Sequence, residues 1–167
     1  MAKEKILLLN THQIQQRINR IAYQIYEDNF EEKEIVIIGI WHNGYLLAER
    51  LMTALNAICN VKTSLFQLTI DKNDQVKKEV SISATRDMMT GKSIILVDDV
   101  LNSGKTLIYA MKAVLDIDTK KIRTVLLVDR DHKRYPVMAD FVGITLSTTL
   151  QEHVHVEFGE EDNAWLS

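Results

Sequence analysis

Short apolar runs alternate with helix-period stretches along this chain. Residues 35–40 (IVIIGI), 94–97 (IILV) and 125–128 (VLLV) are continuous apolar runs. Their length and β-branching predict strands buried on both faces, as in a parallel sheet. Between them, Ile14, Ile18, Ile21 and Ile25 recur at helical spacing, with Asn10 or Thr11 placed to cap. Leu47, Leu51, Met52 and Leu55 repeat that period after Gly44, and Leu107, Ala110, Met111, Val114 and Leu115 repeat it after Gly104. Strands alternating with helices predict an α/β fold with a mainly parallel central sheet. Two segments break the alternation. Residues 61–83 read as two β-prone runs around the polar turn 71–74, a hairpin or flap projecting from the sheet. Residues 141–158 carry short β-prone pieces and no long helix, which predicts a β-rich cap beside the sheet.

Composition narrows the class. At ~150 residues per domain, 167 residues predict one domain spanning 1–167. Lys plus Arg is 20 against 23 for Asp plus Glu, which argues against a nucleic-acid binder driven by bulk charge. Cys59 is the only cysteine, so an internal disulfide and a Cys-based zinc site are excluded. No apolar run approaches the ~20 residues that span a bilayer, and the first residues are too weakly apolar for a signal peptide. A cytoplasmic protein with no membrane partner is expected.

In open α/β sheets, ligands sit beyond the carboxyl ends of the strands. After residues 94–97 comes Asp98-Asp99-Val100-Leu101-Asn102-Ser103-Gly104-Lys105-Thr106. The SGKT ending suggests a P-loop, but that motif needs glycine where Asp99 stands. What remains is a buried strand, two carboxylates, a loop of small residues and a helix start. Backbone amides at that start can cradle a phosphate, with Ser103 and Thr106 adding hydroxyls. Carboxylates beside a phosphate suit ribose hydroxyls or a Mg²⁺ ion. Together they describe a ribose 5-phosphate site. A plainer reading has Asp98 and Asp99 ending the strand and Ser103 capping the helix. His153 and His155 share one face of a strand; an exposed pair is the simpler reading than a metal site. Trp165 packs in the core or on a subunit contact.

The string ILVDDVLNSGKT resembles the PRPP-binding motif of the type I phosphoribosyltransferases: apolar residues, two acids, three variable residues, then Thr/Ser-Gly-x-Thr. The resemblance is closest to the PyrR-type branch, uracil phosphoribosyltransferases that also regulate pyrimidine operons by binding RNA. It is carried further by Val128-Asp129-Arg130-Asp131-His132-Lys133-Arg134-Tyr135-Pro136, by residues 139–143 (ADFVG), by residues 20–22 (RIA), and by Gly39-Ile40 leading to residues 44–46 (GYL). It covers residues 4–160. It implies the family's fold, with a flap at about 71–86 and a small C-terminal hood at about 130–158. The implied activity is that of a pentosyltransferase joining a nucleobase, foremost uracil, to PRPP with Mg²⁺, and the implied assembly is a dimer or tetramer. Asp98 and Asp99 would bind ribose hydroxyls, directly or through the metal. Leu101, Asn102, Ser103, Gly104, Lys105 and Thr106 would hold the 5-phosphate. Trp41, His42, Asn43 and Gly44 would face pyrophosphate, with the Ile40–Trp41 peptide in the place of a bond that relatives often hold cis. Asp129, Arg130, Phe141 and Val142 would place the base, and Lys72 and Arg86 would supply flap-side cations.

Departures from the family pattern qualify that picture. Asn102 stands where purine-salvage relatives carry an acid, and Asp129 where they carry a lysine, which points to a pyrimidine. Trp41 and Asn43 replace a lysine and an arginine, so charge-assisted contacts to pyrophosphate are lost and slow turnover is expected. The alternative is a non-catalytic PRPP- or nucleotide-binding regulator on the same fold. Arg20 and His132 are retained from the RNA-facing set, but Asp28, Met138 and Ile144 replace cations in it, which argues against RNA as a partner.

Overall fold

The computed structural model describes residues 5–71, 78–149 and 151–167. Its elements in chain order are β1 (Ile6–Leu9), α1 (Thr11–Asn29), β2 (Glu34–Ile40), α2 (Asn43–Ile58), β3 (Lys62–Ile70), β4 (Val80–Ile82) and α3 (Arg86–Met89). There follow β5 (Ser93–Leu101), α4 (Lys105–Leu115), β6 (Lys121–Asp129), β7 (Phe141–Thr145), β8 (Val154–Glu157) and β9 (Asn163–Leu166). A six-stranded sheet has the order β4-β3-β2-β5-β6-β7, parallel except for β4. The three apolar runs are its neighbouring central strands. Among the described residues, no helix is long and apolar enough to cross a membrane.

The continuous apolar runs follow from burial on two sides. Ile35, Ile37, Ile95, Val97, Val125 and Leu127 point into one core, where they meet Ile14, Ile18, Ile21 and Ile25 of α1 and Leu47, Leu51 and Leu55 of α2. The intervening Val36, Ile38, Ile94, Leu96 and Leu126 point into the other, against Leu107, Ala110 and Val114 of α4. Each such fully buried side chain contributes ~1.5–3 kcal/mol of transfer free energy. Asn10, not Thr11, caps α1. Its side chain accepts from the Gln13 N–H at 2.9 Å, and the Gln13 side chain accepts from the Asn10 N–H at 3.0 Å, a reciprocal capping box.

Three expectations need correction. The hairpin's first strand, β3, does not project: it pairs along β2 from Glu34↔Lys62 to Ile40↔Leu68, and only β4 turns back on it. The segment 141–145, placed in the hood by its sequence, is β7, the edge strand of the main sheet. The hood is instead a separate antiparallel sheet, β1-β9-β8, that recruits β1 from the other end of the chain. Leu9, Val156 and Ala164 seat it on the α1–α2 core. Arg50 of α2 also anchors it through a two-pronged ion pair with Asp162, both N–O distances being 2.7 Å.

Asp28 ends α1 beside β6 and accepts from Lys121 and Arg123. Burial pushes its carboxyl up, but the hydrogen bonds from these two cations outweigh that, and it titrates below the ordinary 3.8. A carboxylate held below its unfolded value adds stability above that value, and loses it as pH falls through the folded one. Asp28→Asn is therefore expected to cost ~1 kcal/mol at neutral pH. In urea titrations the gap to the parent closes as pH falls below 3.8. A gap independent of pH would contradict the assignment.

Candidate active site

The chain leaves β2 for a helix on one face of the sheet and leaves the neighbouring β5 for a helix on the other. That reversal opens a crevice at the carboxyl ends of the two strands, the standard place for a ligand in open α/β sheets. A cleft of about 910 Å³ lies there, lined by Trp41, His42, Asn43, Asp98, Asp99, Asn102 and Thr106 from the sequence-predicted set. Thr69, Ile70, Asp71 and Lys78 of the hairpin and Tyr109 of α4 also line it.

Two glycines let the pieces approach. A Cβ on Gly44 would lie 2.6 Å from the Val97 carbonyl oxygen and 3.0 Å from the Asp98 Cα, so α2 can start against the end of β5 only without a side chain. Gly104 has φ +87°, in the left-handed region that favours glycine, and a Cβ there would lie 2.5 Å from Val137. Because the Gly44 conflict is with backbone, Gly44→Ala is expected to destabilise by ~1–3 kcal/mol. It should also loosen Asp98, which protease susceptibility and PRPP titration would both register.

Asp99 is held by neutral donors. The Asp99 carboxylate accepts from the Val100 N–H at 2.8 Å and from the Asn43 amide at 3.0 Å. The same Asn43 nitrogen donates to the Val156 carbonyl at 2.9 Å, joining the Asp99 side of the cleft to the hood. Asp98 Oδ1 accepts from the Asp99 N–H at 2.9 Å. Among the described residues no group of three or more His, Cys, Asp or Glu converges. Two adjacent carboxylates on a cleft nevertheless fit Mg²⁺, which is commonly held by one or two carboxylates plus substrate oxygens.

The loop 101–106 is braced from the far side. Leu101 is buried, and its carbonyl accepts from the Arg130 N–H at 3.2 Å. The Ser103 carbonyl accepts from the N–H groups of Arg134 and Tyr135 at 2.9 and 3.1 Å, and Ser103 Oγ accepts from Lys105 N–H at 3.3 Å. Gly104, not Ser103, is the N-cap residue of α4, with no side-chain cap bond, and Lys105 opens the helix. Arg130, 7% exposed, spreads its guanidinium over Asn102 Oδ1 at 2.8 Å, Thr148 Oγ1 at 2.9 Å, and the carbonyls of Thr149 and Glu152 at 3.2 and 2.6 Å.

Several predicted site residues lie elsewhere. Lys72 falls outside the described residues. Arg86 starts α3 and donates to the Asp116 carbonyl at the carboxyl end of α4, away from the cleft. Phe141 and Val142 open β7, and a parallel strand meets a ligand with its last residues, not its first. Phe141 packs on the α1–α2 core, and the Val142 carbonyl accepts from Arg20 at 3.0 Å. Asp129 is buried and turned into its own loop, accepting from the Asp131 N–H at 2.9 Å and pairing with Lys133 at 3.3 Å. The non-proline cis peptide is Trp41–His42, one bond later than expected, and Trp41 N–H donates to the Leu68 carbonyl at 2.8 Å.

Two residues outside the predicted set, Lys78 and Tyr109, line the cleft. Lys78 stands 5.6 Å over the Tyr109 ring and, among the described residues, is the lysine or arginine that lines the cleft. The helical step from Thr106 to Tyr109 was a usable signal for one, and the basic pair 77–78 opening the return strand for the other. A second cavity, about 650 Å³, adjoins the cleft and is lined by Asn102, Ser103, Arg130, His132, Arg134, His153 and Val154.

Comparison with known proteins agrees with this geometry. The phosphoribosyl transferase domain family matches residues 7–163. The chain is 38% identical to the bifunctional protein PyrR of Brevibacillus brevis over 165 residues, 95% of this chain and 92% of that one. It is 36% identical to the bifunctional protein PyrR of Haemophilus ducreyi, over 92% of this chain and 89% of that one. Among solved structures, a hypoxanthine-guanine phosphoribosyltransferase of Bacillus anthracis superposes with TM-score 0.73 at 24% identity, covering 84% of this chain and 82% of that one. The hypoxanthine phosphoribosyltransferase of Trypanosoma cruzi gives 0.76 at 20%, covering 89% and 84%.

Proposed function

The chain belongs to the phosphoribosyltransferase family, in its PyrR branch, and on that premise we propose that it joins a pyrimidine base to PRPP with Mg²⁺, releasing pyrophosphate. The observation that carries this reading is the meeting, in one cleft, of Asp98 and Asp99, Asn102 and Thr106 of the loop 101–106, and Lys78 of the flap side. Uracil is the simplest base of that class.

In this reading the amides of residues 103–106 and the Thr106 hydroxyl hold the 5-phosphate at the start of α4. Asp98 and Asp99 orient the ribose through its hydroxyls, and they are the residues that would hold Mg²⁺. The metal, when bound, supplies positive charge to the departing pyrophosphate. The C1–oxygen bond breaks with its electron pair leaving on pyrophosphate, a ring nitrogen bonds to C1, and its proton passes to solvent. Such a reaction needs positioning and charge stabilisation and no protein nucleophile.

Loop 41–44 contributes no permanent cation, and Asn43 is already committed to Asp99 and Val156. Among the described residues, Lys78 is then the lysine or arginine of the cleft wall that can serve pyrophosphate. One missing charge-assisted contact in the transition state, ~1.5–3 kcal/mol, slows turnover about ten- to a hundredfold. A slow enzyme is expected. The commitment of Asn43 favours one second reading, a PRPP- or nucleotide-binding regulator without turnover. Pyrophosphate release with PRPP and a panel of bases decides between them. Lys78→Met should lower any observed rate at least tenfold, while a parent inactive with every base leaves the regulator. RNA is not part of the proposed function: Asp28 ties up Lys121 and Arg123, so binding to a pyrimidine-operon leader should not exceed binding to a scrambled RNA.

A further inference from the structure

Lys78 is held by an aromatic ring rather than by an acid. Asp71, Asp98 and Asp99 line the cleft beside it, yet among the described residues Lys78 forms no ion pair. Its ammonium stands instead over the Tyr109 ring, 5.6 Å from the centroid. Two local patterns bring the pair together. Lys78, Val80 and Ile82 are half-buried, while Glu79 and Ser81 between them are exposed. The Asp71 N–H donates to the Glu79 carbonyl at 2.9 Å, which carries the hairpin pairing one residue beyond β4. Alternation then puts Lys78 on the strand face of Val80 and Ile82, which pack with Leu107 and Ala110 of α4. Tyr109 follows Thr106 by three residues, the spacing of neighbours on one helix face, and both line the cleft.

A ring face and a carboxylate hold a lysine differently. A carboxylate cancels the charge and competes with an incoming anion. A ring face restrains the ammonium through its quadrupole and leaves the net charge uncancelled. The N–H donors turned away from the ring stay available to a ligand. A lysine side chain has many rotamers, and freezing them at the moment of binding weakens affinity. Contact with Tyr109 restricts them before the ligand arrives. We propose that Tyr109 is a positioning residue that holds the Lys78 ammonium over the cleft for the diphosphate end of PRPP; this rests on the transferase reading above. The contact persists in the complex, so the ring strengthens the hold on the ligand instead of competing for the lysine. The competing account is purely structural: the ring covers the apolar stem of Lys78 and nothing more.

The test is calorimetry with Mg·PRPP and with ribose 5-phosphate, which lacks the diphosphate. It compares the parent with Tyr109→Leu, Tyr109→Phe, Lys78→Met and the combined Lys78→Met, Tyr109→Leu variant. Leucine keeps an apolar side chain without the ring, whereas phenylalanine keeps the ring face. Tyr109→Leu should weaken Mg·PRPP about three- to tenfold, the range of a partly exposed cation–π contact, and leave ribose 5-phosphate within about twofold. Tyr109→Phe should recover most of that loss. On the Lys78→Met background, Tyr109→Leu should have no further effect, because it acts through the lysine. Circular dichroism melting checks the fold of each variant, and Tyr109→Met repeats the removal of the ring if leucine does not fold. The inference is overturned if Tyr109→Leu binds PRPP as tightly as the parent or tighter, weakens both ligands equally, or adds its full effect to Lys78→Met; pyrophosphate release by the parent then still supports the transferase reading. If the cycle holds in calorimetry but no base releases pyrophosphate, the transferase reading falls and the positioning role survives.

Discussion

Asp98→Asn combined with Asp99→Asn should abolish Mg·PRPP binding and leave the protein folded. Both carboxylates are half-buried at the end of β5. Among the hydrogen bonds they accept from described residues are those of the Asp99 and Val100 N–H groups and of Asn43. An asparagine keeps one carbonyl oxygen for such a donor, so folding loses little. Ligand binding loses much more. Each charge-assisted bond to a hydroxyl is worth ~1.5–3 kcal/mol, so two removed together weaken PRPP by about two to four orders of magnitude, before any loss of Mg²⁺. Calorimetry with Mg·PRPP measures the loss, and circular dichroism melting checks the fold. A double variant that binds normally would remove Asp98 and Asp99 from the site.

Legibility in the sequence followed how locally each feature is determined. The central strands were readable because burial on both faces imposes unbroken apolar runs on residues 35–40, 94–97 and 125–128. The turn 101–106 between β5 and α4 was readable because the residues that shape it are contiguous. The hood was not, because β1 and β9 lie at opposite ends of the chain, and only their pairing, such as Leu7↔Trp165, makes it. The base side failed for a related reason. Residues 139–143 resemble a family motif, yet β7 reaches the ligand end at Thr145, leaving Phe141 and Val142 behind. His153, read with His155 as an exposed strand pair, comes to the second cavity through its backbone pairing with Ser167. Arg86 and Lys78 illustrate the limit for single charges. Both sit near the hairpin in sequence, and only the turn at Ser83, whose N–H donates to the Gln67 carbonyl, decides which faces the cleft.

Arg130→Met should be among the most damaging single substitutions outside the apolar core, although it removes a buried charge. Two effects oppose each other. Desolvating a guanidinium is costly, and an apolar replacement relieves that cost. Against this, the four acceptors on Asn102, Thr148, Thr149 and Glu152 all remain and lose their donor. An acceptor left unsatisfied away from water costs ~1–3 kcal/mol, and the sum exceeds the relief. A net loss of ~2–4 kcal/mol is expected, which at an m-value near ~2 kcal/mol/M lowers the urea midpoint by about 1–2 M. Lysine should recover only a fraction, since one compact ammonium cannot reach acceptors spread over residues 102–152. The functional consequence follows from what Arg130 joins. It is a direct bond between the loop 101–106 and the segment 148–152, so its loss frees Asn102, the residue common to both cavities. The second measurement is therefore PRPP affinity under conditions where the variant is still folded, and it should weaken along with stability. A midpoint within 0.3 M of the parent (roughly the scatter of such fits), or normal PRPP affinity in a clearly destabilised variant, would show that the loop 101–106 keeps its shape without this arginine.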